Sequence, residues 1–188
     1  MYKERTSHDK FHIERVTKLA VYIALKEGAN VEIVKKAAEL HDLIRDSNDH
    51  AAASAREARK ILKEQGYSDE FVEAVAHAIE VHSFSAKREP KTLEAKILSD
   101  ADKLDAIGAV GIARAFMFSG EIGRSLEETL KHFEEKLLKL KDLLYTKTAK
   151  ELAKRRHKFL LKFYKEMLEE LKFTKSDLHG DRGVNRDR

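Results

Sequence analysis

Residues 31–45 read VEIVKKAAELHDLIR, an apolar helical stretch that ends in a histidine followed by an aspartate. Val34, Ala38 and His41 recur at the spacing of one helix face. Burying a neutral imidazole beside a carboxylate costs free energy unless another group compensates for the lost hydration, and a divalent cation is one such group. Adjacent helical residues point about 100° apart, so His41 and Asp42 can both reach one ion beyond the helix end.

Two other segments place polar groups in apolar surroundings. His12 precedes Val16 on the apolar side of an earlier helix, and residues 99–105 read SDADKLD within an apolar helix. Taken singly, each histidine could be an ordinary hydrogen-bonded core residue, and the three aspartates could form an exposed charged face. Their joint occurrence favours one site, because two imidazoles and two carboxylates suit Mn, Fe, Ni, Co or Mg.

The composition predicts one globular domain. The chain has 188 residues, of which 42% are apolar, and a formal net charge of +4. The absence of cysteine excludes disulfides and thiolate metal sites. No apolar run approaches the roughly 20 residues of a membrane span and no secretory signal is visible, so we expect a cytoplasmic protein. Abundant Lys and Glu with little Gln and Asn suggest a thermophilic source.

Glycine and proline are sparse enough to predict long helices joined by short turns. The chain contains one proline and eight glycines, and no β-alternation persists, so the predicted fold class is all-α. One helix is expected to end near residue 27, and Asn30 and Ser68 are expected to cap two of the later ones. Those later helices are predicted near 31–45, 51–65, 69–82, 93–104 and 108–118.

The last third of the chain predicts an antiparallel helical hairpin. Ser125 opens a capping box, and apolar residues then repeat at steps of four and three through Leu144. A second long helix extends from Leu152 to Leu171, and the leucines of the first could also pair two copies of the chain into a homodimer. From residue 174 apolar residues become rare, which predicts a flexible tail over 174–188.

The ordered pattern His, His-Asp, Asp resembles the HD-domain metal-dependent phosphohydrolases, which take their name from that His-Asp pair. The resemblance implies an all-α, HD-type helical bundle with a metal-site core over 7–118. Together with the helical hairpin over 125–173, which adds little to the resemblance, this core is predicted to form a single domain over 1–173. The resemblance also implies hydrolysis of a phosphate ester or anhydride of a small molecule, which we expect to be a nucleotide. The resemblance to the HD-domain family lies in five blocks of sequence: SHDKFHIERV (7–16), AAELHDLIR (37–45), AIEVHSFS (78–85), SDADKLDAIG (99–108) and GIAR (111–114).

Carried over position by position, the resemblance implies four ligands for one divalent cation. They are His12, His41, Asp42 and Asp102. Asp102 is preferred because the family's last ligand follows an alanine, although Asp100 stays open as an alternative. His77 and His82 are five residues apart, about 140° around a helix, so they cannot both face the site, which favours one metal over two.

Phosphoryl transfer requires charge neutralisation and a positioned water molecule, so cations are expected near the phosphate. Asp42, Lys103 and His82 are the candidates for catalysis, with His82 as a general acid or a phosphate contact. The polar neighbours of His132 predict a surface residue. The candidates for phosphate binding are Arg15, Arg45, His50, Lys103 and Arg114.

Two other functions fit parts of the sequence. A di-iron-type oxygenase on the same scaffold would need further ligands from His77 or His82. A non-catalytic nucleic-acid-binding or signalling module would use the basic runs at 154–156 and 182–188. Acidic and basic residues interleave almost everywhere else, and neither basic run contains aromatics. We therefore expect a small phosphorylated substrate as partner, without nucleic acid or membrane.

Overall fold

The computed structural model describes residues 10–84 and 88–177, with side chains described over 11–84 and 88–172. All regular structure within these residues is helical, which confirms the predicted all-α class. A 3₁₀ helix, Leu137–Leu143, lies between the last two α-helices. The α-helices are α1 (Lys10–Glu27), α2 (Val31–Leu40), α3 (His50–Glu64), α4 (Asp69–Val81), α5 (Leu93–Asp105), α6 (Gly108–Glu121), α7 (Leu126–Glu135) and α8 (Lys147–Asp177).

The predicted capping residues are present where the helices begin. The side chain of Asn30 accepts hydrogen bonds from the amides of Glu32 and Ile33 at the start of α2. The Ser68 hydroxyl accepts one from the Phe71 amide at the start of α4. These side chains satisfy amides that the first helical turn leaves without partners.

Helix α2 ends at Leu40, earlier than the sequence predicts. His41 keeps helical dihedral angles of −63° and −24°, and its ring Nδ1 donates a hydrogen bond of 2.8 Å to the carbonyl of Ala38. The imidazole thereby satisfies one of the carbonyls that a helix end leaves open. The His-Asp pair therefore stands just beyond the helix, not within it.

Helices α1, α2, α4 and α5 pack together around the main core, and α3 packs on α4. Alanines at the helix contacts, such as Ala20, Ala37 and Ala76, are fully buried and let the backbones approach closely. This packing places His12 of α1, His41 and Asp102 of α5 close together. The larger core side chains include Val16, Ile23, Val34, Leu62, Val75, Ile79, Ile97, Leu98 and Leu104.

The C-terminal hairpin is present, but its first arm is not one helix. The capping box at Ser125 forms as predicted, and α7 then stops at Glu135 because Lys136 adopts non-helical angles of −129° and −65°. The 3₁₀ helix that follows makes one turn in about three residues, which keeps Leu137 and Leu140 on one buried face. The uninterrupted helix predicted through Leu144 is therefore wrong.

Aromatic contacts align the two arms in antiparallel order. Phe133 stacks on Phe163 and Tyr164, with ring centroids 6.3 and 6.4 Å apart, and the Tyr164 hydroxyl donates to Glu134. Most leucines of the repeat are buried inside this chain, Leu130 at 4% exposure among them, whereas Leu126 is 47% exposed. The homodimer predicted through this repeat stays a prediction.

The last helix is longer than the sequence predicts. Helix α8 continues to Asp177, so residues 174–177 of the predicted tail are helical. The remainder of that tail and positions 7–9 of the predicted core lie outside the described residues. None of the described helices combines the length and the apolar character needed to cross a membrane.

Candidate metal centre

Four side chains from three helical segments converge on one point. The Nε2 atom of His12 lies 3.3 Å from Nε2 of His41, 3.5 Å from Oδ2 of Asp42 and 3.7 Å from Oδ1 of Asp102. The Nε2 atom of His41 lies 3.6 Å from the same oxygen of Asp42. Both imidazoles are buried, whereas the side chain of Asp102 is 31% exposed. The four predicted ligands therefore share one centre with an open side at Asp102.

The hydrogen bond at Nδ1 of each imidazole determines whether the Nε2 atom of the same ring can bind a cation. Nδ1 of His12 donates to the carboxylate of Asp105 at 2.9 Å, and Nδ1 of His41 donates to a backbone carbonyl. In a neutral imidazole one nitrogen carries the proton and the other offers a lone pair. Both Nε2 atoms therefore present lone pairs to each other and to the carboxylates, an arrangement that repels itself unless a cation lies between them.

The separations fit a divalent ion. Ligand atoms about 2.1 Å from one cation are about 3.0 Å apart in adjacent octahedral positions and about 3.4 Å apart in tetrahedral ones. The shortest observed separation, 3.3 Å, lies within this range, and the others, up to 3.7 Å, lie slightly above it. A small inward movement of the side chains would complete the coordination, so the donor set fits a divalent cation.

Asp105 anchors the centre from behind. Its buried carboxylate accepts hydrogen bonds from His12, from Nε of Arg15 at 2.7 Å and from Arg114 at 2.6 Å. Burial alone would raise the pKa of Asp105, but these three partners outweigh burial and hold its pKa well below the usual range. A permanently ionised Asp105 fixes the tautomer and orientation of His12, as carboxylates behind metal-bound histidines commonly do.

The two histidines differ in their affinity for protons. Burial opposes protonation of His12, but the nearby carboxylates of Asp105, Asp42 and Asp102 prevail and raise its pKa. For His41 burial prevails and lowers the pKa to about 4. His41 is consequently a neutral ligand at physiological pH, whereas a proton can compete with a cation for His12.

The structure distinguishes the two aspartates that the sequence left as alternatives. The carboxylate of Asp100 is fully buried and accepts hydrogen bonds from the amides of Tyr145 and Thr146, both 2.8 Å, and from the Thr146 hydroxyl. It thus ties α5 to the chain that enters α8. Asp102 is the aspartate that faces His12.

A second group of possible ligands overlaps the first. Asp42, His50 and His82 each offer a ligand atom within 4.8 Å of the others. Nδ1 of His82 donates to the carbonyl of Ile79, so its Nε2 offers a lone pair, and its ring lies 5.0 Å from that of His41. His77 instead accepts a hydrogen bond from the Lys91 amide. His77 and His82 therefore face different sides of α4, as their five-residue spacing predicts. His82 instead joins His50 in a second cluster that shares Asp42.

A cavity of about 300 Å³ opens beside the centre. It is lined on one side by Asp42, Asp102, His50 and His82, and on the other by residues of α6 and α7. Arg114 lines it while donating to Asp105. The remaining lining residues include Phe118, His132, Lys136 and Leu137. The prediction of His132 as a surface residue is therefore wrong: it is half-buried and faces this cavity.

Three other predicted phosphate ligands, Arg15, Arg45 and Lys103, are not among the residues that line this cavity. Arg15 contacts Asp105, and Arg45 forms a 2.9 Å ion pair with Asp42. The buried ammonium of Lys103 donates to Ser99 and lies over the ring of Tyr145. Lys103 lines a neighbouring cavity rather than the one beside the metal centre, and its catalytic role stays a prediction.

Sequence reasoning missed the role of Asp105 and the contribution of α7. A signal for Asp105 exists, because it follows Asp102 by three residues and so shares a helix face with it. Arg15 likewise follows His12 by three residues, which puts both on the side that meets Asp105. His132 and Lys136 carry no comparable signal, since only the return of the hairpin brings them to the cavity.

Comparison with known proteins agrees with this centre. The family model of the HD domain matches residues 11–107, just over half of the chain. The Bacillus subtilis protein YpgQ, itself uncharacterised, is 44% identical over 173 residues, which cover 87% of this chain and 84% of YpgQ. The crystal structure of YpgQ in complex with ADP has a TM-score of 0.72 at 43% identity and covers 94% of this chain and 93% of that chain.

An HD-superfamily hydrolase from Bacillus thuringiensis has the same TM-score, 0.72, at 36% identity, with coverage of 88% of this chain and 87% of that chain. The family match covers all four side chains of the centre, from His12 to Asp102. The chain therefore belongs to the HD-domain family of metal-dependent phosphohydrolases.

Proposed function

We propose that this protein is a metal-dependent phosphohydrolase that acts on a small phosphorylated molecule, with a nucleotide as the favoured substrate. One observation carries the proposal: two imidazole lone pairs and two carboxylates face one another at 3.3 to 3.7 Å beside an open cavity. Such a set holds a divalent cation such as Mn, Fe, Ni, Co or Mg. When bound, a divalent cation supplies charge to phosphoryl oxygens and lowers the pKa of water.

The side chains around the cavity would orient the substrate and carry protons. Arg114 lines the cavity with a guanidinium that Asp105 holds in place, and guanidinium groups match the oxygens of a phosphate. His82 presents Nε2 toward Asp42 and His50, and that atom could accept a proton or, once protonated, donate one to a leaving group.

Two observations support a nucleotide as substrate. YpgQ, which is similar over most of its length, crystallises in complex with ADP. The cavity here has a volume at the lower end of the range for small-molecule sites, and Phe118 offers it an aromatic surface. A compact phosphorylated molecule fits these dimensions better than a polymer.

The experiment is a phosphate-release assay with an aryl phosphate and a nucleotide panel, each with added Mn, Co, Ni or Mg. His41→Ala and Asp42→Ala should lose bound metal and activity while keeping the helical circular dichroism signal. Matched controls are His77→Ala and Asp142→Ala, which remove a histidine and an aspartate outside the cavity. Full turnover by either site variant would refute the site assignment.

The overlapping cluster of Asp42, His50 and His82 favours one second candidate, a di-iron-type oxygenase. This function requires two cations, and the second cluster provides the additional ligands. It predicts two equivalents of iron per chain and oxygen consumption by the iron-loaded protein. One metal equivalent together with metal-dependent phosphate release would exclude it.

A further inference from the structure

One face of α8 is a row of lysines. At 100° per residue, the exposed lysines of residues 147–165 fall within a sector of about 120° of the helix. At 1.5 Å per residue this row extends about 27 Å along the helix axis. The sequence spreads these residues over five helical turns, so that only 154–156 stands out as a basic run. We call the row the lysine ridge, and its members are Lys147, Lys150, Lys154, Lys158, Lys162 and Lys165.

The positive charge of the lysine ridge is concentrated relative to the rest of the chain. Residues 147–165 contain eight Lys or Arg and one acid, Glu151, which gives this segment a net charge of +7. The whole chain has a net charge of +4, so all other residues together have −3. Glu151 forms an ion pair with Lys154. Among the residues whose side chains are described, no carboxylate forms an ion pair with the other five lysines of the ridge.

The lysine ridge departs from the pattern of other exposed helix surfaces of this protein. On those surfaces lysines and glutamates three residues apart form ion pairs, as Lys36 does with Glu39 and Lys60 with Glu57. Such pairs stabilise a helix, whereas like charges four residues apart destabilise it. Between positions 150 and 162 every fourth residue is a lysine. The ridge therefore lowers the stability of the free protein, and a partner with several negative charges would reverse this effect.

The surroundings of the ridge argue against a membrane as this partner. A helix that binds a membrane surface inserts its apolar face between the lipids. The apolar face of α8 is instead buried in the core of the protein, through side chains such as Ala153 and Leu160. Phe159 is 51% exposed beside the ridge, but a single aromatic ring is a small apolar surface. The ridge thus offers charge without an apolar face.

The geometry of the ridge suits the backbone of a nucleic acid duplex. Each strand of a duplex carries one phosphate per about 3.4 Å of its axis, so the ridge spans about eight base pairs. Lysines four residues apart advance about 6 Å along α8, and each can reach a different phosphate through its flexible side chain. Single strands are bound through rows of stacked aromatic rings, and Phe159 alone does not form such a row.

We propose that the lysine ridge binds the phosphate backbone of double-stranded nucleic acid without preference for sequence. Ammonium groups attract phosphates as point charges and release the counterions of the duplex, and contacts to phosphates carry no sequence information. The ridge lies outside residues 11–107, which match the HD domain, and none of its lysines lines the cavity beside the metal centre. This inference therefore goes beyond the proposed function and does not depend on it.

The test is fluorescence anisotropy with a labelled DNA duplex of about 20 base pairs, longer than the ridge. With six phosphate contacts, the logarithm of the affinity should fall against the logarithm of the salt concentration with a slope of about −5. In Lys158→Gln/Lys162→Gln the slope should become about −3.5, and the affinity at about 0.1 M salt should fall at least about tenfold. Two duplexes of unrelated sequence should bind equally, and a preference for one of them would contradict backbone binding.

The matched control is Lys60→Gln/Lys63→Gln, which removes the same charge from two exposed lysines of α3. This variant should bind the duplex like the wild type. If the two double variants had equal affinities and equal salt slopes, the lysine ridge would not be the binding surface. Tighter binding to a single strand of the same length, or to vesicles of phosphatidylcholine and phosphatidylserine in equal parts, would also overturn the inference.

Two further measurements on Lys158→Gln/Lys162→Gln separate this inference from folding and from the proposed function. The melting temperature should not fall, because the substitutions remove like charges four residues apart. Bound metal and phosphate release should equal those of the wild type, since neither lysine lines the cavity. Loss of duplex binding with both properties intact supports the ridge. Duplex binding by a wild-type protein that releases no phosphate would refute the proposed function alone.

Discussion

Replacing Asp105 by asparagine tests how the metal centre is supported, because Asp105 is not itself one of the four proposed metal ligands. The substitution removes the charge and keeps the shape. It leaves Arg15 and Arg114 facing an amide that presents one oxygen and one NH₂ group, where a carboxylate offers two accepting oxygens. At least one of these donors, or the Nδ1–H of His12, then loses its acceptor.

The expected loss of stability follows from the burial of these groups. Breaking a buried ion pair by removing one partner costs about 3–5 kcal/mol. The side chains of Arg15 and Arg114 are 31% and 15% exposed, so water relieves part of that cost. We expect Asp105→Asn to lower the free energy of unfolding by about 2–3 kcal/mol and the melting temperature by about 5–10 °C.

The effect on the metal centre acts through His12. Without the carboxylate, the Nδ1–H tautomer is no longer enforced, and the affinity for a divalent cation should fall by about 10-fold to 100-fold. The pKa of His12, which Asp105 raises, should also fall in the metal-free variant. Urea unfolding, calorimetric titration with Mn²⁺ and an NMR titration of the histidine ring measure these three quantities.

Asp142→Asn is the matched control, because that side chain is 73% exposed and its nearest ion pair spans 3.9 Å. Its stability should stay within about 0.5 kcal/mol of the wild type. If Asp105→Asn matched this control in both stability and cation affinity, the assignment of Asp105 as the support of His12 would be wrong.

Three further predictions follow from the same structure. Asp100→Asn should lower the free energy of unfolding by about 1–3 kcal/mol yet keep its bound metal, whereas Asp102→Asn should lose the metal. Elemental analysis that shows the opposite would reverse the ligand assignment. Gly111→Ala should lower the free energy of unfolding by about 1–3 kcal/mol, because the added Cβ would meet backbone atoms at 2.3 Å. Gly120→Ala is the control, because a Cβ there meets open space and should not destabilise the protein. Equal melting temperatures of the two variants in thermal unfolding would contradict this prediction. Burial disfavours a proton on His12, but its carboxylate neighbours prevail and raise its pKa. Protons should therefore compete with the cation for His12, and cation affinity should fall as the pH is lowered from about 8 to about 6. Titrations that show the same affinity at both pH values would contradict this competition.

The sequence by itself predicted most of the helices and a set of candidate ligands in which Asp100 and Asp102 remained alternatives. Caps such as Asn30 and Ser68 act within one turn, and apolar periodicity acts within one helix, so both are legible before any packing is known. His12, His41 and Asp42 could be singled out because they are polar residues on apolar helix faces. Such residues need partners when buried, and their own helix does not supply those partners.

Only the tertiary structure decided which partners these residues meet. Asp100 and Asp102 sit two residues apart on α5, and their different roles depend on what packs beside each: the entry to α8 or the imidazole of His12. Likewise Lys136 joins the cavity because the helix breaks there and the hairpin returns to it. Side-chain chemistry and helix period are local properties, whereas contacts between distant segments depend on how whole helices pack.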